Sequence, residues 1–421
     1  MHIQSMKEQT KYHRIKPIED PDLFMVPLFN VFGANSEPVV NTGDEVKKYQ
    51  LIGKSVRGFM VPTHSPVSGI VESIEEKNQL DGSVAKTIFI RNNNKNEEAP
   101  IFLKEPDTYT AAELLKVIER AGVVGMGGAK FPTAVKYDKK DKQVNTLIIN
   151  GVECEPYLSS DYVLMKQCSK EILDGILFIN KILDAENIII AVESINDELK
   201  DIFEIYLNDE KYKNISVSVV PDEYPQGGEL QLVKTLTGIE IPKGSIPLNY
   251  GVIVSNVGTV YSIFRTIMEG IPVTERIITV SGENVKNPGN YLVKIGTPVN
   301  HIVEACGIDI KDSIIISGGP MMSPQVRDLY MPINKGSLGI IVLPHKDIER
   351  LNCIWCGYCV DVCPMKLMPM KFDQFFRRGK YLKLNDYNIK DCIECGACEY
   401  ICPSNVPLIR SIKEGKSKLL K

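Results

Sequence analysis

Between residues 108 and 270 the apolar positions change period in a regular way. Strand-length apolar runs at 145–149, 187–192, 215–220 and 251–255 alternate with stretches of helical period at 169–183, 195–207, 228–237 and onward to about Gly270. Repeated strand-then-helix alternation predicts a parallel sheet covered by helices. A capping box at Thr110-Ala-Ala-Glu113 opens a first helix, with Leu114, Val117, Ile118 and Ala121 on its apolar face. The flanks read differently. Short strands between turns are predicted at 23–28, 38–40, 50–52, 69–74 and 87–90, and again at 277–281, 291–294, 313–317 and 339–342, the second group with a helix near 299–306. A polar stretch, 91–107, reads as a linker.

Composition adds limits more than direction. The 421 residues are 43% hydrophobic and 24% charged, ordinary for a globular chain of about three domains. A net charge of −4 speaks against a general nucleic-acid binder. No apolar run approaches the ~18 residues needed to span a bilayer. The opening Met1-His-Ile-Gln-Ser-Met-Lys-Glu8 has no apolar core of a signal peptide. A lysine-rich end (Lys413, Lys416, Lys418, Lys421) reads as a solvated tail.

Cysteine spacing carries the strongest chemistry. Cys353-x2-Cys356-x2-Cys359-x3-Cys363-Pro and Cys392-x2-Cys395-x2-Cys398-x3-Cys402-Pro repeat one pattern. It is the spacing of two-cluster bacterial ferredoxins, in which the fourth cysteine of each run ligates the other cluster. Cys353, Cys356, Cys359 and Cys402 are therefore expected to hold one 4Fe-4S cluster, and Cys392, Cys395, Cys398 and Cys363 the other. Zinc favours separated C-x2-C pairs or histidine, and disulfides need an oxidising compartment. Of the remaining cysteines, Cys168 and Cys306 read as small buried hydrophobes.

A glycine-rich loop, Gly125-Met-Gly-Gly-Ala-Lys-Phe-Pro-Thr133, follows the first helix. Such a loop lets backbone amides approach an anion or a planar ring, or serves as a tight turn. Asn150-Gly-Val-Glu-Cys-Glu-Pro156 and Asn256-Val-Gly-Thr259 fall at the carboxyl ends of predicted strands, the usual ligand side of an α/β sheet. The 108–270 unit thus reads as a nucleotide- or flavin-binding domain. Gly318-Gly-Pro-Met-Met322 reads as a structural turn, and His64 as a hydrogen-bonded turn histidine.

These motifs together carry a family resemblance. Glu37–Val46 and Pro62–Val71 resemble the two halves of a lipoyl-type barrel-sandwich; the stretch 58–62, where carrier domains place their acylated lysine, has none. Over nearly its whole length the chain is similar to the C subunits of Rnf-type ion-translocating ferredoxin:NAD+ oxidoreductases. Its middle is similar to the FMN/NADH-binding subunit of complex I. The resemblance implies a multidomain α/β and β chain: a barrel-sandwich (1–107), an FMN/NADH-binding α/β domain (108–272), a β-grasp-like, SLBB-type module (273–346) and a two-cluster ferredoxin-like module (347–410). It implies that Gly125, Gly127, Gly128 and Lys136 cradle FMN, that Asn150, Glu153 and Asn256 contact flavin or nucleotide, and that Glu153 and Glu155 flank the nicotinamide site. It further implies electron transfer between NAD(H), FMN and two 4Fe-4S clusters, reaching ferredoxin indirectly through membrane partner subunits. The chain would sit peripherally on the cytoplasmic face of the cell membrane. The alternative is a soluble relay to a dedicated reductase such as proline reductase. Lys130 departs from the related motif, which has a small residue there, and puts a charge near the flavin edge.

Overall fold

The computed structural model describes residues 1–101 and 103–419. Its centre is a four-stranded, all-parallel sheet in the order Ile215–Val220, Asn187–Glu193, Thr146–Gly151, Val252–Asn256. Both faces are covered, which is why its strands read as continuous apolar runs. Leu147 and Ile149 point to one face, against Ile172 and Ile176 of the helix Ser169–Leu183 and Val260 and Ile263 of the helix Val257–Glu269. Ile148 points to the other, against Leu232 and Val233 of the helix Glu229–Thr237. From Thr146–Gly151 the chain winds outward to one side, then returns to lay Val252–Asn256 on the other. The gap between these two strands at their carboxyl ends is the switch point of the sheet, where α/β folds bind ligands.

The barrel-sandwich precedes it. Leu23–Pro27, Val84–Asn92, Gly69–Asn78 and Glu45–Val46 form one antiparallel sheet, and Asn35–Pro38, Leu51–Arg57 and Thr63–His64 the other. Phe24, Val26, Ile52, Ile88 and Ile90 fill the space between. The Gly69–Asn78/Val84–Asn92 hairpin runs several residues beyond the expected 69–74 and 87–90. The extension, Glu75-Glu-Lys77 opposite Thr87, Lys86 and Ala85, is mostly polar and carries no apolar period to read.

After the central sheet, Gly289–Lys294, Glu275–Gly282, Gly339–Pro344 and Ser313–Ser317 form a mixed sheet with a parallel central pair and the helix Val299–Ala305 on it, a β-grasp arrangement. An unexpected edge strand, Lys16–Pro17, joins it from the far end of the sequence. Lys335 is buried and donates to the Pro62 carbonyl (2.9 Å) and the Gly122 carbonyl (2.7 Å), tying the sandwich and the central domain to this module. Burial pushes its amine down to about 7.

The cysteine module closes the chain, and here one expectation is corrected. The lysine-rich end is not a solvated tail and does not stop at 410. Leu408–Leu419 is a helix whose buried face, Leu408, Ser411, Ile412 and Gly415, packs in the module's core beside Phe372 and Leu384. Lys416 Nζ donates to the Cys392 carbonyl (2.6 Å) and to Glu394 (2.7 Å). Lys421 lies outside the described residues. Among the described residues no helix is long and apolar enough to cross a membrane.

Candidate functional site

A cavity of about 1320 Å³ opens at the switch point of the central sheet. Gly125, Gly127, Gly128, Lys136, Asn150, Glu153, Glu155 and Asn256 all line it, so residues spread over more than 130 positions meet on one surface. Asn150 and Asn256 end neighbouring strands and pair in register. Most of their polar atoms are engaged in holding the wall. Asn150 Nδ2 donates to the Gly227 carbonyl (2.9 Å) and its Oδ1 accepts from Val152 N (3.0 Å). Asn256 caps the helix Val257–Glu269 by accepting from Gly258 N and donates to Asp161 (2.6 Å). The Glu153 carboxylate accepts from Ser160 Oγ and from the amides of Asp161 and Tyr162, anchoring the start of the helix Ser160–Gln167. Burial, with Asp161 close by, pushes it up to about 7. Lys136 pairs with Glu229 (2.7 Å).

Glu155 is different. Its Oε2 accepts from Met321 N (3.0 Å), but its Oε1 is buried with no hydrogen-bond partner, and burial pushes the carboxyl up to about 7. A buried acceptor without a donor costs roughly 1–3 kcal/mol and marks a place where a ligand's donor fits. The turn read as structural, Gly318–Met322, faces the cavity through Gly318 and Met322. The glycine loop is pinned from beneath: Met126 N donates to Thr259 Oγ1 (2.9 Å), and the buried Arg276 donates to the Met126 carbonyl (2.9 Å). The loop closes on itself through Gly125 N to the Phe131 carbonyl (2.8 Å), and the cavity beside it exceeds the ~300–1,000 Å³ of a single-ligand pocket.

The sandwich closes one rim. Phe32 and Phe59 pack edge-on against Phe131 of the glycine loop, with ring centroids 5.3 and 5.7 Å apart. Phe59 lies in the stretch that bears the acyl lysine in carrier domains. Asp81, at the tip of the long hairpin, pairs with Lys130. His64, expected to be hydrogen-bonded, is not: its Nδ1 is buried without a partner, and burial together with Lys335 pushes the ring down to about 3.

The two cysteine runs fold into two sites that exchange their last members. Cys353, Cys356, Cys359 and Cys402 surround one small cavity. Burial raises the Cys359 thiol, and the thiols of Cys353, Cys356 and Cys402 add to it. In the other site burial pushes Cys395 up to about 11, with Cys392 and Cys363 adding to it. Backbone amides point at sulfur, Leu367 N to Cys363 (3.3 Å) and Glu394 N to Cys392 (3.4 Å), an arrangement that suits thiolate ligands. Among the described residues no three His, Cys, Asp or Glu side chains are grouped to hold a single ion. Cys395 and Ile393 also line the large cavity, and Tyr224, in its wall, donates its hydroxyl to the Cys395 carbonyl. Met1 clasps Tyr224 through both backbone groups, and Ile3 packs with Tyr224, Cys395 and Ala397. Tyr224, Asp81 and the first residues of the chain were not singled out by sequence reasoning.

Known domain families match in the same order. The RnfC barrel-sandwich hybrid domain matches residues 1–95, the Nuo51 FMN-binding domain 118–265, the SLBB domain 277–325 and the 4Fe-4S dicluster domain 352–406. The C subunit of the ion-translocating oxidoreductase complex of Pectobacterium carotovorum subsp. carotovorum is 35% identical over 427 residues, covering 100% of this chain and 57% of its own. The chain is a homologue of Rnf-complex C subunits. The corresponding protein of Pectobacterium atrosepticum is likewise 35% identical, with 61% of its length covered, so this chain spans about three fifths of the curated relatives it matches. Crystal structures of NAD+-reducing [NiFe]-hydrogenase share the fold over 75% of this chain: the H2-reduced form at TM-score 0.53, 17% identity and 62% coverage of that chain, the air-oxidized form at 0.50, 19% and 54%. The Rnf-type architecture read from the motifs is thus present: barrel-sandwich, FMN-binding α/β domain, SLBB domain and dicluster module.

Proposed function

We propose that this chain is an electron-transfer subunit of an Rnf-type oxidoreductase, moving electrons between NAD(H), an FMN in the large cavity and two 4Fe-4S clusters. The observation that carries this is the shared wall: Cys395 belongs to the inner cysteine site and to the lining of the nucleotide cavity at once. A flavin bound there would couple a two-electron hydride carrier to one-electron clusters. The chain's own residues arrange the exchange. The glycine loop offers the backbone amides of Gly127 and Gly128 to the flavin, while Gly125 donates to the Phe131 carbonyl and closes the loop beside it; Lys136 balances negative charge, and Asn150, Glu153 and Asn256 fix the strand ends against it. Glu155 offers its unpartnered oxygen to a donor on the bound ring or nicotinamide. Cys392, Cys395, Cys398 and Cys363 hold the cluster next to the cavity; Cys353, Cys356, Cys359 and Cys402 hold the outer one. Outside the outer site, Ile354 and Trp355 are 66% and 51% exposed, which suits exchange with a partner. In the assembled complex we place the chain peripherally on the cytoplasmic face, with reduced ferredoxin feeding electrons through membrane partners toward NAD+ and those partners coupling the flow to ion translocation.

Anaerobic purification with iron, sulfide and flavin quantitation, followed by NADH titration under EPR, tests this. About eight irons, about eight sulfides and one FMN per chain are expected, with NADH reducing at least one cluster. A colourless, zinc-bearing protein would refute it.

A further inference from the structure

Lys130 and Asp81 form an ion pair that neither packs a core nor caps an element. Lys130 sits in the glycine loop with φ +56°, a left-handed backbone that costs a side-chain-bearing residue about 1–2 kcal/mol. A glycine would remove that strain, so the side chain calls for a use. Its stem lies against Gly336, where a Cβ would collide with it, and the side chain, 16% exposed, lines the cavity rim. The partner comes from another domain. Asp81 stands at the tip of the extended sandwich hairpin, its carboxylate held by Ser83 N (3.0 Å) and Ser83 Oγ (2.6 Å). Both residues line the cavity beside Leu80 and Phe32, also from the sandwich. A cation at the cavity rim, covered by one carboxylate that is 36% exposed, has the makings of an anion site with an internal occupant.

We propose that Lys130 binds a phosphate of the exchangeable dinucleotide, and that Asp81 occupies its place until the nucleotide enters. This rests on the electron-transfer reading above and adds a substrate contact and a role for the sandwich. The exchange is electrically balanced. Lys130 trades a carboxylate for a phosphate oxygen, so no buried charge is left unpaired, and Asp81 turns to solvent still tied to Ser83. The rim position favours the exchangeable ligand, since the flavin proposed above would be held at the strand ends by Asn150 and Asn256.

The test is equilibrium binding of NAD+ and of ADP-ribose to the anaerobically purified full chain, across a salt series, with flavin content measured in parallel. Lys130→Gln is expected to weaken both ligands about tenfold and flatten the salt dependence, with flavin retained. Asp81→Asn, which removes the competitor, is expected to tighten both about threefold. Unchanged affinities in both variants, with the wild type binding normally, would overturn the Lys130 assignment and leave the electron-transfer reading standing. Loss of flavin in Lys130→Gln with dinucleotide affinity intact would overturn it in favour of a flavin-phosphate contact. A wild type that binds neither NAD+ nor ADP-ribose would overturn the electron-transfer reading and this assignment with it.

Discussion

The two cysteine runs are nearly the same sequence in very different surroundings. Gly357 and Gly396 occupy equivalent positions, with φ of 88° and 79°, each opening a one-turn helix. Around Gly357 there is open space; a Cβ at Gly396 would strike the carbonyl oxygen of Met321. Cys356 is exposed, whereas its counterpart Cys395 is buried in the wall of the cavity. The repeat builds two equal sites, and packing against the rest of the chain makes them unequal. One lies against the cavity and the other faces outward. Burial and amide–sulfur contacts also tune potentials, so near-identical ligand sets need not have equal potentials.

The largest test separates the two sites by their crossed ligands. Cys402→Ser should remove the outer cluster, about four of about eight irons, although the residue lies in the second run. NADH would still reduce the inner cluster. Cys363→Ser should remove the inner cluster and cut NADH off from the outer one. Iron content and EPR after NADH addition decide; a Cys402→Ser protein that lost the inner signal would break the crossed arrangement.

The equivalent glycines come next. Gly357→Ala carries only the left-handed backbone strain, an expected cost of about 1–2 kcal/mol. Gly396→Ala adds a collision with backbone and should cost about 3 kcal/mol or more, with the inner cluster lost first. Thermal unfolding of the two variants, with iron content, measures the asymmetry. Equal shifts would mean that the inner site is not clamped.

How far this asymmetry could be foreseen depends on the range of the contacts. Cysteine spacing, strand periodicity and the asparagines at strand ends are local patterns, and the structure brings all eight cavity residues together. Tyr224 reaches Cys395 across 171 positions, Met1 reaches Tyr224 across 223, and Asp81 reaches Lys130 across 49. Such contacts form where one unit docks on another and leave no period in the sequence. The final helix was hidden for a different reason. Its buried face includes Ser411 and Gly415, small residues that do not register as apolar among so many lysines. Glu153 and Asn256 illustrate a third limit: position was readable, but that their polar atoms are already used in anchoring helix starts was not.

Tyr224→Phe is a gentler probe of the clamp. It removes the hydroxyl that the Cys395 carbonyl accepts from, an expected cost of about 1–2 kcal/mol at a buried acceptor. The inner cluster's EPR signal and potential should shift while the outer cluster's stay in place. A shift shared by both clusters would mean a general loosening of the module and not a contact specific to the inner site.

The smallest expected effect probes the same wall from the cavity side. Glu155 holds Met321 N, and the Met321 carbonyl sits over Gly396, so the carboxyl is two contacts from the inner site. Burial raises it from an ordinary 4.5 to about 7. Between those values the folded protein keeps a proton that the unfolded chain has lost, so this group's contribution falls as pH rises from about 4.5 to about 7 and then levels off. Glu155→Gln keeps an acceptor for Met321 N but cannot ionise. Its stability relative to wild type should therefore improve from pH 5 to about pH 7 and change little from there to pH 8, by a total of the order of 1 kcal/mol once partial solvent access is allowed for. Paired denaturant unfolding curves at the two pH values measure this directly. A difference independent of pH would mean that Glu155 is already ionised in the folded protein, with a donor on its second oxygen.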